Sequence, residues 1–265
     1  MAGIGEDHPA RIGDYVVHRR LTETATAELF VAQHAHGGAL VCVKRIRPEL
    51  SDDEDFVADF VSVAERAIQL RHPNVVRVYE WGQHDGCFLA MELIDGPDLA
   101  TLLGEVETLA APLAAHVGAS LALALAHIHH RDGAREPLIH FDVTPHNVLI
   151  GGSGEVKLSD FGLAKALGTT GAATLTRERG KAGYLAPEQL DPTSLVTARV
   201  DLFALGLVLW QALIGTHPYV ERCPPGRSLQ RWIPAQLERN ARRRVAEAAP
   251  MAPAGLCDAI ERLLQ

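Results

Sequence analysis

Residues 139–162 read Ile139-His140-Phe141-Asp142-Val143-Thr144-Pro145-His146-Asn147-Val148-Leu149-Ile150-Gly151-Gly152-Ser153-Gly154-Glu155-Val156-Lys157-Leu158-Ser159-Asp160-Phe161-Gly162. Two apolar runs, 147–150 and 156–158, flank Gly151, Gly152 and Gly154, a pattern that predicts a hairpin of two short strands. Just outside the strands stand Asp142, Asn147 and Asp160. A hairpin brings its ends together, so these three oxygen-bearing groups are expected to converge. Carboxylate and amide oxygens that converge suit a hard divalent cation keeping waters and phosphate oxygens as its other ligands, magnesium rather than zinc.

His140-Phe141-Asp142 followed by Pro145 and Asn147 resembles the catalytic loop of protein kinases, and Asp160-Phe161-Gly162 resembles their metal-binding motif. The resemblance implies that Asp142 accepts the proton of a substrate hydroxyl while Asn147 and Asp160 hold magnesium on the phosphates of ATP. Both motifs at this spacing on one hairpin weigh against reading the three residues as ordinary turn-capping polar groups.

Bulk properties fit this class. A chain of 265 residues with 47% hydrophobic and 22% charged residues buries a sizeable core. The net charge of −8 disfavours a nucleic-acid partner. Cys42, Cys87, Cys223 and Cys257 are scattered and read as reduced thilols of a cytoplasmic protein. No signal peptide is expected from the charged start at Glu6, Asp7 and Arg11, and no membrane span within this segment. The Ala-rich stretch 109–128 carries His116 and His127, and 203–214 is too short to span, so both read as buried helices.

Before the hairpin, Tyr15-Val16-Val17, 28–32 and 40–44 are strand-like. Val41-Cys42-Val43-Lys44 resembles the kinase strand whose lysine contacts the nucleotide phosphates, and Leu29 falls at a nucleotide-contacting position. Where the family carries a glycine-rich phosphate loop, this chain has Thr22, Thr24 and Ala27 at the glycine positions. Side chains there are expected to push the loop from the phosphates, at about 1–3 kcal/mol for each residue forced into a glycine conformation. Residues 51–71 read as an amphipathic helix with an acidic entry, similar to kinase helix C. Its glutamate position falls on Val63; Glu65 lies about 200° round the helix, leaving Asp59 as the one candidate stand-in, an open question at this point. Residues 75–81 and 87–93 read as further strands. Met91 to Gly96 resembles the hinge, with Met91 as gatekeeper, Glu92 and Leu93 at the adenine and Asp98 at the ribose, and the resemblance adds Leu149 as a nucleotide-binding residue.

After the hinge the composition turns helical, with 110–130 as a long buried helix. His127, His129 and His130 lack a fourth ligand for zinc. The threonine-rich run 164–179 followed by Ala186-Pro187-Glu188 resembles an activation segment. Phe141 replaces the arginine that ordinarily pairs with a phosphate there, which argues against activation by loop phosphorylation. Thr144 stands where many serine/threonine kinases place a lysine. Val200-Asp201-Leu202 resembles the start of the central helix, whose aspartate braces the catalytic loop. The six arginines of 227–244 read as a solvated helix face. The chain stops at Gln265, before the segment whose arginine ordinarily meets the Ala-Pro-Glu glutamate, so Glu188 is expected to be satisfied differently or by a continuation.

The expected fold is α+β and two-lobed. Residues 1–94 form a small lobe of five antiparallel strands with helix C, and 95–265 a mainly helical lobe truncated before its last helices. The leading function is an ATP- and magnesium-dependent serine/threonine protein kinase of the bacterial Hanks type acting on a protein hydroxyl. The second is a pseudokinase that binds nucleotide or serves as a scaffold for signalling partners, and the third a small-molecule phosphotransferase.

Overall fold

The computed structural model describes residues 9–24, 26–84, 86–130, 138–160, 181–191, 193–220, 223–224, 229–238 and 244–265. The chain divides into two compact units, Met1–Arg71 with Val76–Ile94, and His72–Val75 with Asp95–Gln265.

The first unit is built on an antiparallel sheet: β1 (Arg11–Ile12), β2 (Tyr15–Glu23), β3 (Ala27–His34), β4 (Leu40–Ile46), β5 (Val78–Gln83) and β6 (Cys87–Glu92). Their order is β1-β2-β3-β4-β6-β5. The five expected strands are present, and β1 adds a two-residue edge to β2. Alternation on β2 buries Tyr15 and Val17 and exposes Val16 and His18. Tyr15 and Val17 join Ile12, Phe30, Ala32, Val41, Val43, Phe88 and Ala90 in one apolar cluster.

Helix α1 (Pro48–Ser51) is a single turn, and α2 (Glu54–Ile68) is the helix C expected over 51–71. It starts late because the Asp53 carboxylate accepts from Asp55 N and Phe56 N at 2.9 and 3.1 Å, fixing the N-cap there. Phe60, Val63, Ala64 and Ala67 form its buried stripe, and α2 packs on β5 and β6.

The second unit holds α3 (Leu99–Val106), α4 (Ala111–His129), the hairpin β7 (Val148–Ile150) and β8 (Val156–Leu158), α5 (Pro187–Leu190), α6 (Arg199–Ile214), α7 (Leu229–Glu238), α8 (Val245–Ala248) and α9 (Ala254–Leu263). Helix α6 is its centre, packed by α4 and α9. Gly206 makes the second contact close: a Cβ there would sit 2.9 Å from Leu263 Cβ. Helix α4 carries no Asp, Glu, Lys or Arg and is long and apolar enough to cross a membrane by length and composition. Here one face packs on α6 and β8, while Leu113 and Leu123 are exposed, so it is buried on one side only.

The expected boundary assigned His72–Val75 to the first unit, whereas the structure assigns them to the second. Asn74 is the reason. Its carbonyl accepts from Leu158 N at 2.9 Å and its side chain donates to Val156 O at 2.9 Å, tying the segment to β8. All four cysteines are free.

Candidate functional site

The hairpin forms in the register Val148↔Leu158, Leu149↔Lys157, Ile150↔Val156, with Gly154 at φ +87° supplying the left-handed turn residue. Pro145–Asn147 is a 3-10 turn leading into it. The Asn147 amide nitrogen donates to Asp142 O at 2.7 Å and to Asp142 Oδ2 at 2.9 Å. With its N–H groups so used, the amide offers a cation its oxygen alone. The Asn147 carbonyl accepts from Ser159 N at 2.9 Å and from Ser159 Oγ at 3.2 Å, which fixes the approach to Asp160. Asp142, Asn147 and Ser159, the residue before Asp160, are therefore one hydrogen-bonded unit. A carboxylate, an amide oxygen and a second carboxylate make a donor set that fits magnesium.

His140 is completely buried. Its Nε2 meets Ser159 O at 2.8 Å and its Nδ1 meets Asp142 N at 3.2 Å. A carbonyl needs a donor and an N–H needs an acceptor, so the tautomer that serves both contacts carries its hydrogen on Nε2. It clamps the two motifs together from behind.

Asp201, on α6 and 1% exposed, accepts from His140 N and Phe141 N at 2.8 Å each, and its Oδ2 lies 2.8 Å from His129 Nε2. Phe141 takes φ +65° and Asp160 φ +59°. Left-handed backbone at residues other than glycine costs about 1–3 kcal/mol each and persists only where surroundings over-determine it. Asp201 supplies that constraint for Phe141. The three histidines at the end of α4 and just past it diverge: His127 stacks on His72, His129 meets Asp201, and His130 Nδ1 meets Ala126 O. They do not converge on a metal.

Asp98 caps α3 through Oδ1, accepting from Thr101 N at 2.7 Å, and its Oδ2 lies 3.8 Å from His146 Nδ1. A β-bridge links Asp98 to Leu149, so the two residues of the second unit expected at the nucleotide are neighbours. In the first unit, Lys44 is 7% exposed on β4, registered between Leu29 and Leu89. Met91 is buried, Glu92 N donates to Arg77 O at 2.8 Å, and Leu93 is half-buried just past β6.

The structure corrects two expectations in this unit. Thr22, Thr24 and Ala27 are absent from the positive-φ residues, so no glycine-type strain arises. Pairing instead continues to Glu23↔Glu28 and the chain reverses tightly. Thr24 Oγ1 accepts from Thr26 N and Ala27 N at 3.3 and 3.0 Å and donates to Ala27 O at 3.0 Å. Arg47 adds bonds to Glu23 and to Thr24 O. The N–H groups of Thr26 and Ala27 are spent inside the turn, and no residue-by-residue count of lost glycines reveals that. The Thr24→Ala variant is expected to lose about 1 kcal/mol of stability while its ATP affinity holds or rises. A drop in affinity, measured by calorimetry, would instead make this hydroxyl a phosphate ligand.

The second correction concerns Asp59. It is exposed and makes no ion pair among the described residues, so it does not replace the helix C glutamate; Val63, 4% exposed, fills that position with core packing.

Phe161, Gly162 and the threonine-rich run lie outside the described residues, as do most of the arginines of 227–244; Arg244 is exposed before α8. The Ala-Pro-Glu segment is described. Ala186 N donates to Gln189 Oε1 at 2.9 Å, and Glu188 forms no ion pair among the described residues. The sequence reading missed His217, which is 4% exposed and anchors this segment. Its Nε2 donates to Gly183 O at 3.0 Å, and its Nδ1 accepts from Tyr219 N and Val220 N. Burial pushes its pKa down to about 4, against the hydrogen bond to Gly183. Between pH 6.5 and about 4 the unfolded chain takes up a proton that the native state refuses, so stability is full above pH 6.5 and falls as pH drops. The whole loss from this group is about 3 kcal/mol. Urea midpoints at pH 7 and pH 5 should fall less for His217→Gln than for wild type.

Comparison with known proteins follows the same line. The sequence model described as protein kinase domain matches residues 15–247. The serine/threonine-protein kinase PrkC of Bacillus subtilis is 31% identical over 208 residues, 78% of this chain and 31% of its own. The tyrosine-protein kinase MasK of Myxococcus xanthus is 35% identical over 219 residues, 78% of this chain and 34% of its own. The serine/threonine-protein kinase PknJ of Mycobacterium tuberculosis is 34% identical over 210 residues, 77% of this chain and 34% of its own. The chain thus spans about a third of the length of these relatives.

Proposed function

The chain belongs to the protein kinase domain family, of the bacterial Hanks type, and we propose that it transfers the γ-phosphoryl group of ATP to a serine or threonine hydroxyl of a protein, with magnesium on the phosphates. The observation that carries this reading is the Asn147 amide bridging to both the backbone and the carboxylate of Asp142. It holds Asp142 beside the Asn147 amide, whose oxygen neither bond uses. Asn147 and Asp160 would hold the metal, which would supply charge neutralisation on the phosphates. Asp142 takes the proton of the attacking hydroxyl, and Lys44 is the ammonium for the α- and β-phosphates. Leu29, Glu92, Leu93, Asp98 and Leu149 are assigned to the adenosine. A cytoplasmic setting suits the four free thiols.

A second reading, a pseudokinase that binds partners with little catalysis, has its own observation in the Thr24 hydroxyl that accepts from the N–H groups of Thr26 and Ala27. Transfer of labelled phosphate from ATP to peptides carrying serine, threonine or tyrosine, in magnesium and in EDTA, separates the two. Magnesium-dependent label on serine or threonine supports the kinase. A thermal shift with ATP and no label on any peptide supports the pseudokinase.

A further inference from the structure

His72 opens the stretch His72–Val75, which belongs to the second unit although α2 before it and β5 after it belong to the first. Its ring is half-buried and has two neighbours. Nδ1 accepts from Asn74 N at 3.1 Å, and the ring stacks on His127 of α4 with centroids 5.1 Å apart and planes 26° from parallel. The first contact closes a tight turn, reinforced by Val75 N donating to His72 O at 3.1 Å. This turn aims Asn74 at β8. The Asn74 side chain donates to Val156 O, its carbonyl accepts from Leu158 N, and Val75 bridges to Leu158. Asp160 stands two residues past Leu158. A run of hydrogen bonds therefore leads from the His72 ring to the strand end that carries a candidate metal ligand.

That run depends on an uncharged ring. An N–H needs an acceptor, so the tautomer that serves Asn74 carries its hydrogen on Nε2, and a further proton has only Nδ1 to occupy. There it would take the lone pair to which Asn74 N donates and set two donors against each other. The surroundings resist that proton. Burial comes first, followed by the positive charge of His127 from α4 and of Lys157 from β8, and together they hold the His72 pKa below its ordinary 6.5. Lys157 is near by register, since it lies between Val156 and Leu158, the two residues to which Asn74 bonds.

We propose that His72 and Asn74 are positioning residues for Asp160, acting through β8, and that a proton on His72 Nδ1 loosens their hold on that strand. Only the role of Asp160 rests on the kinase reading above. Once the segment lets go of β8 the ring titrates at its ordinary value of 6.5, whereas in the closed segment it resists the proton. Opening is therefore least favoured above pH 6.5 and grows easier as pH falls below it. At pH 5.5 the gain in opening reaches up to about tenfold.

The test follows amide hydrogen exchange of the ligand-free protein at Leu158 N, as protection over the intrinsic rate at each pH, with Leu207 N inside α6 as the control. Wild type is compared with His72→Asn, whose side-chain oxygen can accept from Asn74 N without titrating here, and with His72→Phe, which keeps a ring on His127 but no acceptor. From pH 7 to pH 5.5, wild-type protection at Leu158 N should fall about three- to tenfold, and that of His72→Asn less than about twofold. All three proteins keep His217, so its titration cancels in the comparison. At pH 7, His72→Phe should lose about tenfold at Leu158 N and less than about twofold at Leu207 N, and asparagine should restore the loss. In calorimetry at pH 7, the gain in ATP affinity from magnesium should fall several-fold in His72→Phe and recover in His72→Asn. Wild-type protection that ignores pH, an equal fall in His72→Asn, or equal losses at Leu158 N and Leu207 N would each overturn the proposal while leaving the kinase reading intact. The expected exchange with an unchanged magnesium gain in His72→Phe would overturn the positioning of Asp160. A wild-type protein that binds no ATP in magnesium would overturn the kinase reading and with it the role given to Asp160, and the exchange would still decide whether a proton on His72 loosens β8.

Discussion

Replacing Asp142 by asparagine is expected to reduce phosphoryl transfer by about 10²- to 10⁴-fold, the range associated with losing a positioned general base. The fold should tolerate the change. Asn147 Nδ2 meets Asp142 Oδ2 at 2.9 Å, and an asparagine at 142 can turn its own amide oxygen to the same nitrogen. The backbone bond from Asp142 N to His140 Nδ1 does not involve the side chain. What disappears is the carboxylate oxygen proposed to take the hydroxyl proton. Calorimetry in magnesium should therefore find ATP bound with near wild-type affinity by a variant that does not turn over. A fall in turnover of less than about tenfold would show that Asp142 is not the proton acceptor and that positioning alone carries the reaction.

The largest effect on stability is expected at Asp201. Asp201→Ala removes, from an interior site only 1% exposed, the acceptor for His140 N, Phe141 N and His129 Nε2. Breaking a buried network by deleting its charged member costs about 3–5 kcal/mol. The damage should be directional. Phe141 at φ +65° is held by its N–H bond to Asp201 Oδ1, so the backbone is free to relax and carries Asp142 with it. Urea unfolding should give the stability loss, and turnover should fall in the same variant. Asp201→Asn keeps one oxygen acceptor and is expected to fall between, which leaves a readable variant if alanine does not fold. Stability within about 1 kcal/mol of wild type together with normal turnover in Asp201→Ala would refute this bracing role.

Much of this was legible in the sequence because it is local. The hairpin follows from two apolar runs around Gly151, Gly152 and Gly154, and Asp142, Asn147 and Asp160 sit at fixed short distances along the chain from it. The strand with Lys44 and the helix with an acidic start were visible for the same reason, each being a pattern within about ten residues. What stayed hidden depends on distant partners or on side-chain geometry. His217 contacts Gly183 34 residues away, and nothing near it in the chain marks it as buried. The assignment of His72–Val75 to the second unit rests on bonds from Asn74 to β8, more than 80 residues on. At the turn from β2 to β3, counting replaced glycines anticipated strain. The chain avoids it by closing a tighter reversal around Thr24 Oγ1, a choice among local hydrogen bonds that residue type alone does not dictate.

Titration of ATP into the wild-type protein and Asp160→Asn, each in magnesium and in EDTA, tests most directly whether Asp142, Asn147 and Asp160 seat a metal-bound triphosphate. Wild type is expected to bind ATP at least about tenfold more tightly with magnesium than in EDTA, and Asp160→Asn to lose most of that gain. Equal affinity with and without magnesium, unchanged by the substitution, would contradict it.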